Sequence, residues 1–189
     1  VVLFDRGLKA LIKDYAGRGQ RLVRFSGPEP LKQALAHVGR VPLPPYINQE
    51  LRDPSDYQTI YAAVNGSAAA PTAGFHFTPA VFEQLRLKKI ERAFVTLHIG
   101  PGTFQPVRET DIRNHKMHRE FYHLGMETAA QLNAARARGG RIVAVGTTVC
   151  RVLEKNLNAD GCFKEQEGWT NLFIYPGYRF RAVDILLTN

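Results

Sequence analysis

The sequence predicts a mixed α/β fold. Short apolar runs fit for strands alternate with segments of helical periodicity, and glycine or proline clusters separate the two kinds. The first stretch, Val1 to Phe25, holds the runs Val1-Val2-Leu3-Phe4, Leu11-Ile12 and Leu22-Val23, broken by Asp5-Arg6-Gly7 and Gly17-Arg18-Gly19. Strands joined by tight turns are expected there, as the end of a small β domain. Ser26-Gly27-Pro28 then punctuates the chain, and Leu31 and Leu35 at helical spacing with Gly39 as a stop predict a helix. A domain boundary is expected at that punctuation, giving 1–28 and 29–189. The prolines of Val41-Pro42-Leu43-Pro44-Pro45-Tyr46-Ile47 rule out helix and leave an extended segment.

Ala62 to Gly74 is rich in small residues that permit close backbone approach, and Thr78-Pro79 is an N-cap with proline at the first helical position, starting a helix to about Lys89. Ala93 to Ile99 reads as a buried strand ended by Gly100-Pro101-Gly102. Met126 to Arg138 is an Ala-rich helix closed by Gly139-Gly140; Arg141 to Val145 is a strand, and Gly146-Thr147-Thr148 opens a further helix. Arg136 and Arg138 complement the dipole at their helix end and need no ligand to explain them.

Composition narrows the function classes. With 189 residues, 44% apolar and 22% charged, the chain can bury a core, and no apolar run approaches the roughly 18–20 residues of a membrane span. The first residues lack the build of a signal peptide, so a cytoplasmic protein is expected. Cys150 and Cys162 fit neither a metal pair nor a disulfide framework. Lys and Arg number 25 against 17 acids, a formal charge of +8 that favours a polyanionic partner, with a generic basic surface as the competing reading. The chain opens within an expected strand and stops at Leu186-Leu187-Thr188-Asn189, which reads as a piece of something longer.

Four histidines stand out by setting: His76, His98 at a strand end, and the pair His115 and His118. Imidazole moves protons near neutral pH, and a hydrogen-bonded structural histidine is the alternative for each. If helical, His115 and His118 share a face, and with His123 they raise the thought of a metal. No carboxylate or thiolate completes a known motif, so no metal is expected. The loop from Gly100 through Gly102 and Thr103, and the turn Gly146-Thr147-Thr148, stand where unpaired amides suit an anion or nucleotide, or are simply tight turns. Arg151 on the following helix suits a carboxylate or phosphate, or is a solvated cation. Trp169 and Tyr175 beside glycines can stack a base, or pack a core.

Taken in order, Pro42-Leu43-Pro44-Pro45-Tyr46-Ile47, Tyr57-Gln58-Thr59-Ile60-Tyr61-Ala62, Ala69 to Thr78, Thr96-Leu97-His98-Ile99-Gly100 and Gly102 to Val107 resemble consecutive signatures of the S-adenosylmethionine:tRNA ribosyltransferase-isomerase family. His115-Lys116-Met117-His118-Arg119-Glu120, Ala144 to Thr148, Gly168-Trp169-Thr170 and Tyr175-Pro176-Gly177-Tyr178 continue the series, which spans roughly Leu35 to Asn189. Ala68, Pro101 and Cys150 depart from the family's usual residues. The resemblance implies a large α/β domain carrying the remainder of a small inserted β-barrel, the barrel's tail lying in 1–28. It implies a central piece, with family segments expected before Val1 and after Asn189.

The resemblance also implies a reaction. The ribosyl part of S-adenosylmethionine is transferred to the aminomethyl group of 7-aminomethyl-7-deazaguanine in the tRNA anticodon and isomerised to epoxyqueuosine, with adenine and methionine leaving. S-adenosylmethionine is then a co-substrate, no cofactor or metal is needed, and the partner is tRNA, met by a monomer. Under that implication His98, His115 and His118 are the proton-transfer candidates, and Thr72, Gly74 and His76 position the ligand. Gly100, Gly102, Thr103, Gly146, Thr147, Thr148 and Arg151 line the site, with Trp169 or Tyr175 as an aromatic wall. Two rivals remain: a tRNA-binding module without catalysis, and a metal-dependent hydrolase built on the histidines.

Overall fold

The structure, a computed structural model, describes residues 1–17, 20–44, 47, 49, 51, 53–100, 111–115 and 117–189. It divides into two compact units, Val1–Val41 and Pro42–Asn189. In the first, β1 (Val2–Leu3), β2 (Lys9–Gly17) and β3 (Gln20–Ser26) form an antiparallel sheet in chain order, β2 and β3 pairing from Lys9↔Ser26 to Gly17↔Gln20. The register slips between Ile12 and Asp14 and again between Tyr15 and Gly17, as bulges in a twisted hairpin do. Leu8, Ala10 and the helical Ala34 are the buried apolar residues of this unit.

The helix α1 (Leu31–Val38) belongs with that sheet. His37 Nδ1 on its last turn lies 3.0 Å from Glu29 Oε2 and 3.3 Å from Arg6 Nη1, tying the helix to the β1–β2 turn. A Cβ on Gly27 would sit 3.4 Å from the Leu8 backbone, so the exposed Ser26-Gly27-Pro28 corner lies within contact distance of the start of β2. The compact unit thus runs on past 28, the boundary expected from that punctuation, because local turn chemistry marks a change of direction and not where contacts stop.

In the second unit the helix α2 (Pro79–Leu87) starts as expected, Thr78 Oγ1 accepting the Val81 N–H at 3.3 Å. Two small sheets follow. One has the order β4 (Thr96–His98), β5 (Glu120–Leu124), β7 (Gln166–Thr170), all antiparallel; the other pairs β6 (Val143–Val145) with β8 (Ile185–Leu187) in parallel. Between them run α3 (Met126–Ala137) and α4 (Thr147–Asn156). The mixed fold is as the sequence predicts, with strands β5, β7 and β8 added.

β4 is shorter than the expected strand from Ala93 to Ile99. Before Thr96 the chain is engaged elsewhere: the Phe94 ring rests 5.5 Å from that of Tyr61, and the Phe94 carbonyl accepts from Thr128 Oγ1 at 2.8 Å. Pairing with β5 begins only at Thr96↔His123. His115 and His118 do not share a helix face, because the helical turn ends at Asn114, His115 has extended backbone, and His118 lies outside any helix.

The core of this unit lies between α4 and the strands, from Leu124, Ala129, Ala144, Cys150, Leu153 and Phe163. Buried polar side chains brace it. The Glu154 carboxylate accepts the N–H groups of Arg181, Ala182 and Val183 and the Tyr178 hydroxyl, with distances from 2.9 to 3.2 Å. Asn133 holds both the N–H and the carbonyl of Phe163, at 2.7 and 2.9 Å. Such satisfaction is the condition for burying polar atoms without a stability penalty. Among the described residues, no helix is long and apolar enough to cross a membrane.

Candidate active site

Residues on β5 alternate strictly between the two faces of the antiparallel sheet: Glu120, Tyr122 and Leu124 are buried, while Phe121 and His123 are partly exposed. Register carries the alternation across the sheet. His98 stands opposite Phe121, and Phe121 opposite Trp169. Their rings form one row on the outer face: His98 stacks on Phe121 at 5.5 Å and 17°, and Phe121 meets Trp169 edge-on at 5.7 Å and 72°. The guanidinium of Arg119 lies 5.5 Å from the Trp169 ring centroid, a cation–π distance.

A loop of small residues lies against the His98 end of this row. Ala68 N–H donates to the Ile99 carbonyl at 2.8 Å, and Ser67 Oγ accepts the Ile99 N–H at 2.9 Å while donating to the Ala69 carbonyl at 2.7 Å. Gly66 has φ +144°, and a Cβ there would fall 2.6 Å from His98 Cε1 and 2.7 Å from Nδ1. Glycine is required on both counts. The His98 Nδ1 beneath it is buried and, among the described residues, has no hydrogen-bond partner. Arg151 Nε is the other such atom among the described residues, and of the two groups only the imidazole can exchange a proton near neutral pH.

The loop continues into the turn Thr72–His76. Gly74 is buried, and a side chain there would run into the Tyr61 hydroxyl and the Thr59 methyl. Burial pushes the Tyr61 phenol above its usual range. Tyr61, Phe82, Phe94 and Arg92 line a groove of about 450 Å³, with the Arg92 guanidinium 4.9 Å over the Phe82 ring. Thr72 is partly buried; His76 is exposed.

The other expected site residues fall in different surroundings. His115 packs 5.0 Å from Phe173, which lies 5.7 Å from Tyr175, so Tyr175 and Trp169 belong to separate aromatic groups. His118 is partly buried just before β5. Gly100 follows β4 with open space where a Cβ would be, and Gly102 and Thr103 lie outside the described residues. The Gly146 N–H donates to the Leu187 carbonyl at 2.8 Å, and Thr147, at the first turn of α4, is exposed beside the partly buried Thr148.

Arg151 is neither a solvated cation nor exposed to a ligand. It is buried, and its Nη2 donates to the equally buried Glu120 Oε2 at 2.6 Å. Desolvation lowers its pKa, opposed by the Glu120 charge. Burial, with Glu154 nearby, pushes the Cys150 thiol up to about 11, so that thiol stays neutral. Among the described residues, no three His, Cys, Asp or Glu side chains converge as a metal site would need. Sequence reading missed Gly66, Arg119, Glu120 and Phe121. The alternation Glu120-Phe121-Tyr122-His123-Leu124 is the signal that would have found the last two.

Comparison with known proteins supplies a family. A family model described as "Queuosine biosynthesis protein" matches residues 1–189. An S-adenosylmethionine:tRNA ribosyltransferase-isomerase of Moorella thermoacetica is 52% identical over all of this chain, which covers 56% of that relative. Its counterpart in Thermoanaerobacter sp. is 50% identical over 99% of this chain and 55% of its own length. A crystal structure of an S-adenosylmethionine tRNA ribosyltransferase from Thermotoga maritima is 40% identical over 60% of this chain and 34% of that one, with a TM-score of 0.45. The chain spans little more than half the length of the curated relatives it matches.

Proposed function

The chain belongs to the queuosine biosynthesis protein family, and on that premise we propose that it is the part of an S-adenosylmethionine:tRNA ribosyltransferase-isomerase that carries the proton-transfer and ligand-binding groups. The observation that carries the reading is the family match along the whole chain, joined to a buried, unpartnered His98 Nδ1 at the end of an aromatic row. The relatives' names specify S-adenosylmethionine, tRNA and ribosyl transfer with isomerisation. Taken over to this chain, the ribosyl group passes to the aminomethyl of 7-aminomethyl-7-deazaguanine, adenine and methionine depart, and an epoxide closes. The setting is the cytoplasm, and the protein acts as a monomer.

That chemistry needs a base for a proton beside the sulfonium, help for the leaving adenine, and an amine held in line. We assign the base to His98, since its Nδ1 has no hydrogen-bond partner among the described residues, and keep His115 and His118 as the acid candidates. Thr72, Gly74 and His76, with Gly100, Gly146, Thr147 and Thr148, serve the ligand through backbone and hydroxyl groups. Gly102 and Thr103 belong to the same assignment. Arg151 acts at one remove, through Glu120 and the strand that bears Phe121.

The test incubates the protein with S-adenosylmethionine and precursor-bearing tRNA and measures free adenine. Turnover is expected, and His98→Gln should reduce it by about a hundredfold or more, the usual contribution of a positioned general base. Wild-type turnover in that variant would remove His98, and no adenine from the parent protein would remove the enzymatic reading. A tRNA-binding role without catalysis is the second reading, favoured by the charge of +8. It predicts salt-dependent tRNA binding with no adenine.

A further inference from the structure

We propose that the exposed face of Trp169, with the Arg119 guanidinium beside it, is the platform on which an unpaired nucleobase of the tRNA stacks. This rests on the tRNA-modifying reading above and names the substrate part that this surface takes. Half of Trp169 is exposed at 50%, which alone is unremarkable for a surface aromatic. Three further observations set this ring apart.

The first is its seat. Trp169 lies on a strand paired residue by residue with β5, and its edge abuts Phe121, which is itself backed by the stacked His98 ring. A ring held this way stacks a base at little entropic cost. The second is charge. Arg119 is exposed, sits over the indole, and has no carboxylate partner among the described residues, while Lys155 Nζ donates to the Trp169 carbonyl. Arg119 therefore sets a cation at the ring where a phosphodiester beside a stacked base would run, while the Lys155 ammonium, 5.7 Å over the Tyr122 ring, holds the Trp169 backbone from the inner face. The acids of this face, Glu165 and Glu167, stand one row along beside His123, whose Nε2 is 3.9 Å from Glu165 Oε1.

The third observation is openness, which separates tRNA from the adenine of S-adenosylmethionine. Small ligands are buried over most of their surface in concave sites. Trp169 and Arg119 instead offer an uncovered surface, suited to a polymer laid across it. The row then leads from Trp169 by Phe121 to His98, so a base stacked at one end places its neighbours toward the His98 ring at the other.

Trp169 is the only tryptophan of the chain, so intrinsic fluorescence reports on this surface directly. The protein is titrated with an anticodon stem-loop RNA and, separately, with S-adenosylmethionine. RNA should quench the emission; Trp169→Ala should bind the same RNA about tenfold more weakly, and Trp169→Phe should keep most of the affinity. Arg119→Ala, a change at an exposed side chain that leaves the fold intact, should weaken binding at low salt and reduce the salt slope by about one. Quenching by S-adenosylmethionine but not by RNA would overturn the proposal in favour of an adenine wall. RNA affinity unchanged in both Trp169→Ala and Arg119→Ala would overturn it outright. Adenine release by the parent protein is scored separately: release with unchanged RNA affinity in the variants sinks the platform alone, and quenching without release sinks the enzymatic reading alone.

Discussion

The two faces of the β4-β5-β7 sheet are made from alternate residues of the same strands, yet they solve opposite problems. On the inner face Glu120 meets Arg151 at 2.6 Å, the Tyr122 hydroxyl donates to Asn156 Oδ1 at 2.8 Å, and Leu124 and Thr170 are fully buried. On the outer face His98 keeps a bare nitrogen, and Trp169 and Arg119 stand in solvent. Closure on one side makes openness on the other affordable, because the strands that present the outer row are fixed by inner contacts that do not depend on any ligand. The difference teaches where to look for chemistry in this chain: on the side where aromatic groups stand open to solvent, since an unpartnered nitrogen alone also occurs on the inner face, at Arg151 Nε.

The comparison is broken most directly at the buried ion pair. Glu120→Ala leaves Arg151 charged, buried and alone, and should cost about 3–5 kcal/mol in denaturant unfolding, enough to unfold a marginal domain. A loss under about 1 kcal/mol would mean the inner face is not the structural one. Next in size, Tyr122→Phe deprives the Asn156 carbonyl oxygen of its donor and should cost about 1–3 kcal/mol by the same measurement, with RNA affinity at the platform preserved. On the outer face the expectation reverses. Trp169→Ala should move stability by no more than about 1 kcal/mol while weakening RNA binding, and a large loss of stability would erase the distinction between the faces.

The smallest effect concerns the core behind the inner face. The Cys150 thiol, raised from 9.0 to about 11 by burial, is held neutral by the fold. A raised folded pKa contributes stability that is complete below pH 9 and lost as pH climbs through 11. The thermal midpoint should therefore sag above pH 9. At pH 8 an alkylating reagent should tag the exposed Cys162 and spare Cys150 until denaturant is added, which mass spectrometry reads directly.

Much of the frame was legible in the linear pattern. The Thr78-Pro79 cap starts its helix where expected, Met126 begins α3, and Gly146 precedes α4, because caps, prolines and glycines act through neighbouring backbone alone. The segment from His115 to Leu124 was less legible. Three-residue spacing suggested a helix face, but the helical turn stops at Asn114 and Glu120–Leu124 is recruited by two flanking strands, whose pairing partners far off in sequence override a local spacing. Arg151 was legible as a partner for a carboxylate, but its place in α4 permits either solvent or burial, and only the arrival of Glu120 from another element decides.

The amino-acid sequence by itself determined the mixed α/β class, the basic charge, most helix starts and the family signatures, since these rest on composition, short-range backbone preferences and ordered motifs. The tertiary structure alone decided which candidates stand together. It set His98, Phe121 and Trp169 in one row, put Gly66 against His98, and turned Arg151 inward. Strand register and burial are agreements between segments distant along the chain, and no single segment contains them.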